Sequence, residues 1–267
     1  MLRRRAAALS DIRAFFAERN VLEVQTPVLA PATVTDPHVD AIPAGDGFLQ
    51  TSPEYAMKRL LAAGAPSIYQ LGPAFRAGER GRLHNPEFTL LEWYRLGYDD
   101  QALMQEVAAL VDRLLGSDQY TFNRYDDLLA QSPAPAHEPE ELRLAAAIES
   151  LSARRVFITH YPAEQAALAR LHEQEPGTAA RFELVVDGVE LANGYHELGD
   201  EAQLRARFDQ DNEVRRRLGK PERALDEAFL AAMAAGLPDC AGVALGVDRL
   251  LLLAFGAREL REVLAFD

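Results

Sequence analysis

Residues 75–94 read FRAGERGRLHNPEFTLLEWY, and the pattern in that stretch governs how the rest of the chain is read. Its first half is a basic, glycine-punctuated loop carrying Arg76, Arg80 and Arg82. Its second half, PEFTLLEWY (86–94), is rich in aromatic and β-prone residues and predicts a strand. Side chains two apart share a strand face, so Phe88, Leu90, Glu92 and Tyr94 point one way. A carboxylate and a phenol facing a core would be costly. Either this is an edge strand with Glu92 in solvent, or its face is the floor of a site. Such a floor would stack a base on Phe88 and receive a cationic group at Glu92 and Tyr94.

A second patterned stretch, FELVVDGVELANG (182–194), predicts a hairpin with Asp187-Gly188 as a two-residue turn. That turn pairs Val186 with Val189 and Val185 with Glu190. Glu183 then lies diagonally from Glu190 on the same face, within reach of one shared cation. Either the face is wet, or a hard cation such as Mg²⁺, which takes carboxylate and phosphate oxygens, offsets the repulsion.

Around these stretches the chain alternates helices and strands without a βαβα rhythm. Helical spacing covers 2–19, and VLEVQTPVL (21–29) reads as an extended segment whose Pro27 belongs at a sheet edge or strand end. PEYAMKRLLAAG (53–64) reads as a helix stopped by glycine, SIYQLGPAF (67–75) as a strand, and 99–115 as a helix. QSPAPAHEPE (131–140) reads as a linker or exposed loop, and VFITHYP (156–162) as a strand. Helices are expected over 201–218 and 222–235, and VALGVDRLLLLAFG (243–256) as a strand entering a helix. This order argues for an α+β fold, a mainly antiparallel sheet flanked by helices.

Bulk properties remove several function classes. The 267 residues are 48% hydrophobic and 26% charged, ordinary for a globular protein. No apolar run approaches the roughly 20 residues of a membrane span, and the basic start MLRRRAAALSDIRAFF lacks the apolar core of a secretory signal. One cysteine excludes an internal disulfide framework and fits a reducing, cytoplasmic setting. Cys240 itself reads as a small buried hydrophobe. A net charge of −13 disfavours a broad nucleic-acid grip. Arg3–Arg5, Arg80 with Arg82, and Arg215–Arg217 are either local basic patches or solvated helix faces.

Arg76 and Arg249 are candidate phosphate clamps, because a guanidinium matches phosphate geometry and keeps its charge. Gly242 and Gly246, within GVALGVDR, permit close approach of a nucleotide to the backbone. His84 either touches outer phosphates or is an inert surface histidine.

With these residues in view, the chain resembles the class II aminoacyl-tRNA synthetases over nearly its whole length. FFAERNVLEVQTPVL (15–29), FRAGERGRLHNPEFTLLEWY and GVALGVDRL (242–250) are similar to the three signature motifs. TSPEYAMKRLL, GVELANGYHEL and GVALGVDRLLLL resemble lysyl-tRNA synthetase and, more closely, the shortened paralogues of the elongation factor P–(R)-β-lysine ligase family.

The resemblance implies ATP as co-substrate, Mg²⁺, a lysine-type amino acid, elongation factor P as the protein acceptor, and a homodimer formed through the first motif. It implies that Ser52, Pro53 and Glu54 hold the substrate backbone, Glu54 on an amino group. Glu92, Tyr94 and Glu197 would surround the ammonium end, and Asn193 and Ala244 would also line the amino-acid site. Arg76, Ala77, Gly78, His84, Asn85, Phe88, Glu190, Leu191, Gly246 and Arg249 would contact ATP. Of these, Arg76 and Arg249 carry the catalytic charge and Phe88 stacks on adenine. Glu183 and Glu190 would hold the metal.

Ala244 stands where lysyl-tRNA synthetases carry glycine, and its methyl would reshape the pocket toward a β-amino acid. The chain starts at the first-motif helix, so an anticodon-binding domain and specific tRNA charging are not expected. One catalytic domain over 1–267 is expected, with a shortened peripheral insertion around 117–157. Gly78 departs from the family's Phe-Arg-x-Glu, with Glu79 beside it. The other readings are a lysine-type adenylate ligase for a tRNA or carrier-protein acceptor, and a catalytically silent regulatory subunit.

Overall fold

In the computed structural model, residues 1–266 are described. The chain runs through α1 (Leu2–Ala17), β1 (Leu22–Glu23), β2 (Leu29–Ala30), β3 (Pro43–Ala44), β4 (Gly47–Leu49), α2 (Glu54–Ala62), β5 (Ile68–Phe75) and β6 (Glu87–Leu96). It continues with α3 (Asp100–Leu115), β7 (Tyr120–Arg124), α4 (Tyr125–Gln131), α5 (Glu140–Ser150), β8 (Arg155–Pro162), β9 (Thr178–Val186) and β10 (Val189–His196). The last elements are α6 (Glu201–Arg217), α7 (Glu227–Gly236), β11 (Cys240–Gly246) and α8 (Val247–Phe255). The fold is α+β, as the sequence suggests. Two compact units divide it: Met1–Gly97, Leu198–Cys240 and the chain from Ala244 make the first, Tyr98–Glu197 with Ala241–Val243 the second.

In the first unit the strand order is β1-β5-β6-β11. β5 and β6 pair antiparallel, with Ile68 opposite Tyr94, Tyr69 opposite Trp93 and Gln70 opposite Glu92. β6 therefore has neighbours on both sides, which rules out the edge-strand reading of Glu92. The Trp93 face receives α1: Phe16 stacks on Tyr69 at 4.4 Å and meets Trp93 edge-on at 5.3 Å. Phe16 and Trp93 are fully buried, each adding about 1.5–3 kcal/mol by burial. On the opposite face Tyr94 packs with Ile68, Met57, Leu61 and Cys240, so α2 lies over the face that carries Glu92. Cys240 is a buried hydrophobe, as expected.

The extended segment VLEVQTPVL is divided between two sheets, and the expected start of the second late helix needs correction. Leu22–Glu23 pairs parallel with β5, Leu29–Ala30 joins the small β2-β4-β3 sheet, and Pro27 falls between them. Pro27 offers no N–H, and the preceding Thr26 N–H donates to Gln70 Oε1 at 2.7 Å instead of to a ladder. The second late helix starts at Glu227, not 222. Asp226 caps it by accepting from Phe229 N at 2.9 Å. The preceding residues are held out of helix by Asn212, which accepts from Arg223 N and donates to its carbonyl.

In the second unit, residues 241–243 of β11 lead the order β10-β9-β8-β7, and α3 packs on β9 and β10. Asp99 caps α3 by accepting from Ala102 N at 2.7 Å. Asp187 (φ 49°) and Gly188 (φ 75°) both adopt positive φ, as a type I′ turn requires. Arg154 grips Asp187 with two hydrogen bonds of 2.7 and 2.6 Å. Around 117–157 the chain forms β7, α4 and α5, none of which sequence patterning revealed. Tyr125, Leu128, Ala147, Val156, Ile158 and Tyr161 form their core, and the Pro-rich segment is the loop between α4 and α5. Among the described residues no helix is long and apolar enough to cross a membrane.

Candidate active site

Strand parity in β6 places Glu92 and Tyr94 on one face, and both are almost fully buried. The Tyr94 hydroxyl donates to Glu92 Oε1 at 2.7 Å, which fixes the carboxylate against the phenol. A carboxylate so placed offers acceptor oxygens suited to an ammonium group. α2 begins at Glu54 with Pro53 as its N-cap, and Ser52 Oγ accepts from Glu54 N at 3.3 Å. One turn on, the fully buried Lys58 ammonium donates to Glu54 Oε1 at 2.6 Å. Nothing in the residue pattern of 53–64 flagged Lys58 as interior.

The loop after β5 gathers the cationic residues. Arg76 Nε donates to the Thr51 carbonyl at 3.4 Å, and its guanidinium lies 5.1 Å from the centre of the Phe88 ring. Ala77 N donates to the Asp40 carbonyl at 2.6 Å. Gly78 has φ 78°, a conformation natural to glycine. Its missing carboxylate is partly replaced by the next residue: Glu79 Oε1 comes within 3.7 Å of Arg76. Asn85 Nδ2 donates to the Glu87 carbonyl at 2.6 Å.

Arg249 sits in the first turn of α8, just past Gly246, with Ala244 two residues earlier on β11. It donates to the Leu83 carbonyl at 3.2 Å, and its Nη2 lies 2.8 Å from His84 Nε2. Burial, and then the Arg249 charge, hold the His84 pKa below the usual histidine value. A neutral imidazole accepting from Arg249 follows.

Sequence reading missed what holds these residues. Both oxygens of the buried Asp248 are taken: Oδ1 by Arg5 at 2.7 Å and Oδ2 by Thr89 N at 2.7 Å. Arg5 also donates to Thr89 Oγ1 at 2.7 Å. The neighbours of Asp248 and Thr89 are Arg249 and Phe88, so this cluster sets the position of both. Arg5 is thus neither a basic patch nor a solvated side chain. The same correction applies to Arg215, which is fully buried and donates to Asp40 Oδ1 at 2.9 Å. Arg216 and Arg217 are exposed and pair with Glu222 and Glu213.

In the second unit the hairpin register starts as expected, with Val186 opposite Val189 and Val185 opposite Glu190. A bulge at Leu191, which is buried, then shifts it. Asn193 comes to oppose Glu183, where an unbroken ladder would have put Ala192. Glu183, Glu190 and Asn193 therefore share one face, Glu190 exposed and Glu183 half-buried. Asn193 Nδ2 lies 3.5 Å from Glu183 Oε1, while its Oδ1 is buried without a hydrogen-bond donor. Two carboxylates and an unsatisfied amide oxygen are the donor chemistry a hard cation takes, so these residues fit Mg²⁺. Among the described residues no group of three or more His, Cys, Asp or Glu gathers for a metal. Glu197 is buried at the end of this unit, bridged to Ala169 with its carbonyl accepting from Arg170 Nε at 3.1 Å.

The family model for class II tRNA synthetases (D, K and N) matches residues 1–267. The elongation factor P–(R)-β-lysine ligase of Vibrio cholerae is 44% identical over 306 aligned positions, covering 99% of this chain and 94% of that protein. Its counterpart in Yersinia enterocolitica is 44% identical at the same coverage of both chains. That of Photorhabdus laumondii is 44% identical over 310 positions, covering 100% of this chain and 94% of its own. The aligned spans exceed the 267 residues here, so each relative carries residues that this chain lacks.

Proposed function

This chain belongs to the class II tRNA synthetase family (D, K and N), and from that premise we propose that it is an ATP-dependent ligase joining (R)-β-lysine to a lysine side chain of elongation factor P. The observation that carries the amino-acid half is the buried Glu92–Tyr94 pair, an anionic floor for an ammonium group. The similarity to ligases of that name along the full chain supports the acceptor.

In the first step the amino acid carboxylate, ionised at neutral pH, attacks the α-phosphorus of ATP. An O–P bond forms, and the bond from that phosphorus to pyrophosphate breaks. No general base is required. Arg76 and Arg249 neutralise charge that builds on the phosphates, and Phe88 stacks on the adenine. His84, held neutral, keeps Arg249 aimed. Glu54 and Glu92 hold the two amino groups of the substrate, and the methyl of Ala244 narrows the pocket in favour of the β-amino acid. Glu183 and Glu190 would hold Mg²⁺, which when bound supplies charge neutralisation on the polyphosphate. In the second step a lysine amine of the acceptor, having lost its proton, attacks the activated carbonyl. The new C–N bond expels AMP.

The residues that the relatives carry and this chain lacks are placed, in this reading, at 117–157, where a peripheral insertion is cut to β7, α4 and α5. The enzyme acts as a cytoplasmic homodimer joined through its first motif. Incubating the protein with ATP, Mg²⁺, (R)-β-lysine and unmodified elongation factor P should add one lysyl mass to a single acceptor lysine, read by intact and peptide mass spectrometry. An unchanged acceptor mass, with pyrophosphate still released, would remove elongation factor P from the account.

A further inference from the structure

Glu183 does not face its hairpin neighbours as an uncompensated carboxylate. Arg181, two residues earlier on β9, shares its face, and Nη2 donates a short hydrogen bond to Glu183 Oε1. The guanidinium is anchored elsewhere too. Nη1 donates to the Gln165 carbonyl at 2.7 Å, and the group lies 4.2 Å from the centre of the Tyr161 ring. Arg181 and Glu183 side chains are only 15% and 17% exposed, so water screens the pair weakly. Burial, and then the charge of Glu183, push the Tyr161 hydroxyl well above its usual pKa, leaving it neutral.

The charges on this face decide what it can bind. With Glu190, Glu183 would present carboxylate charge to a cation; Arg181 offsets the part that Glu183 brings. A guanidinium held against one ligating carboxylate repels a divalent cation enough to cost about tenfold in affinity, even with water-like screening. It also occupies Oε1, so Glu183 can offer only its second oxygen. Swinging Arg181 aside would break the Gln165 and Tyr161 contacts and strand a buried charge.

We propose that Arg181 is a built-in counter-cation, which stops Glu183 and Glu190 from holding a divalent cation alone and makes cation binding depend on the added negative charge of a nucleoside polyphosphate. The inference rests on the reading of Glu183 and Glu190 as metal ligands. It separates two states: without nucleotide the hairpin is a salt-bridged surface, and with nucleotide it is a cation site. Unproductive capture of metal is thereby suppressed.

The test is a Mn²⁺ titration of the full chain, followed by the electron paramagnetic resonance signal of free Mn²⁺, with and without α,β-methylene-ATP. Wild type should bind Mn²⁺ weakly alone and much more tightly with the analogue. Arg181→Met should raise nucleotide-free affinity by about tenfold. Arg181→Gln, which can still donate to the Gln165 carbonyl, should move the same way should the methionine variant fail to fold. Arg181→Lys, which keeps the charge, should stay near wild type. Equal or weaker nucleotide-free binding in both neutral variants would overturn the proposal and leave Arg181 as a residue that only orients Glu183. If Glu183→Gln and Glu190→Gln leave nucleotide-dependent Mn²⁺ binding intact, the metal reading itself fails, and that result is distinct from the first.

Discussion

Arg76 and Arg249, in the first unit, donate to the carbonyls of Thr51 and Leu83, and Arg249 also meets the neutral ring of His84; Glu183, in the second unit, meets a guanidinium on its own strand. A carbonyl orients a charge without cancelling it, whereas a hydrogen-bonded counter-ion orients and cancels together. Glu79, 3.7 Å from Arg76, stands beyond hydrogen-bond distance and tempers that guanidinium less than Arg181 tempers Glu183. The Arg181 contact tempers negative charge until something anionic arrives. Positioning in the first unit comes from remote buried polar groups, the Arg5–Asp248–Thr89 cluster and the Asp40–Arg215 contact. In the second it comes from the strand that carries the acid.

If that contrast is right, neutralising a first-unit cation should have the largest effect. Arg76→Met should lower amino-acid-dependent ATP–pyrophosphate exchange by about 10²–10³, the cost of one preorganised charge donor, with the circular dichroism spectrum unchanged. A loss below about tenfold would break the comparison, since Arg76 would then be no more than a surface arginine. In the second unit Glu190→Gln should cost about 10–100-fold at low Mg²⁺ and recover in part at high Mg²⁺. Unchanged turnover at every Mg²⁺ concentration would take Glu190 out of the metal reading.

The smallest effect concerns support rather than charge. Asp40 accepts from Lys220 at 2.8 Å and Arg215 at 2.9 Å, and its carbonyl accepts from Ala77 beside Arg76. The Lys220 hydrogen bond, with Arg215, holds the Asp40 pKa below its ordinary value of 3.8. A carboxyl whose native pKa is depressed adds stability that is fully present above the unfolded value and fades as pH falls through the native one. Melting temperatures of wild type and Asp40→Asn should therefore differ by a constant amount near neutral pH and converge below about pH 4. A gap that persists undiminished at pH 3 would mean the contact owes nothing to the carboxylate charge.

Local periodicity explains what was legible in the chain. Alternation in 86–94 told which side chains share a face, and Asp187-Gly188 told where the hairpin turns, because both are set by residues close in sequence. The Leu191 bulge was hidden, since a single unpaired residue leaves the same apolar pattern on either side. Arg5, Asp248 and Thr89 were hidden for a different reason. Arg5 is separated from Asp248 by 243 positions and from Thr89 by 84, and no local pattern reports a contact of that range. Arg215 looked like one member of a charged helix face, yet it points inward while Arg216 and Arg217 point out. α4 and α5 were masked by the Pro-rich loop between them.

The most direct test of the account is ATP–pyrophosphate exchange on the purified protein with Mg²⁺, supplying (R)-β-lysine, α-lysine or a neutral amino acid in turn. The account predicts exchange strongest with (R)-β-lysine, weaker with α-lysine and absent with the neutral amino acid. Exchange with neither lysine would contradict it, leaving the buried Glu92–Tyr94 floor without the cationic substrate it is proposed to hold.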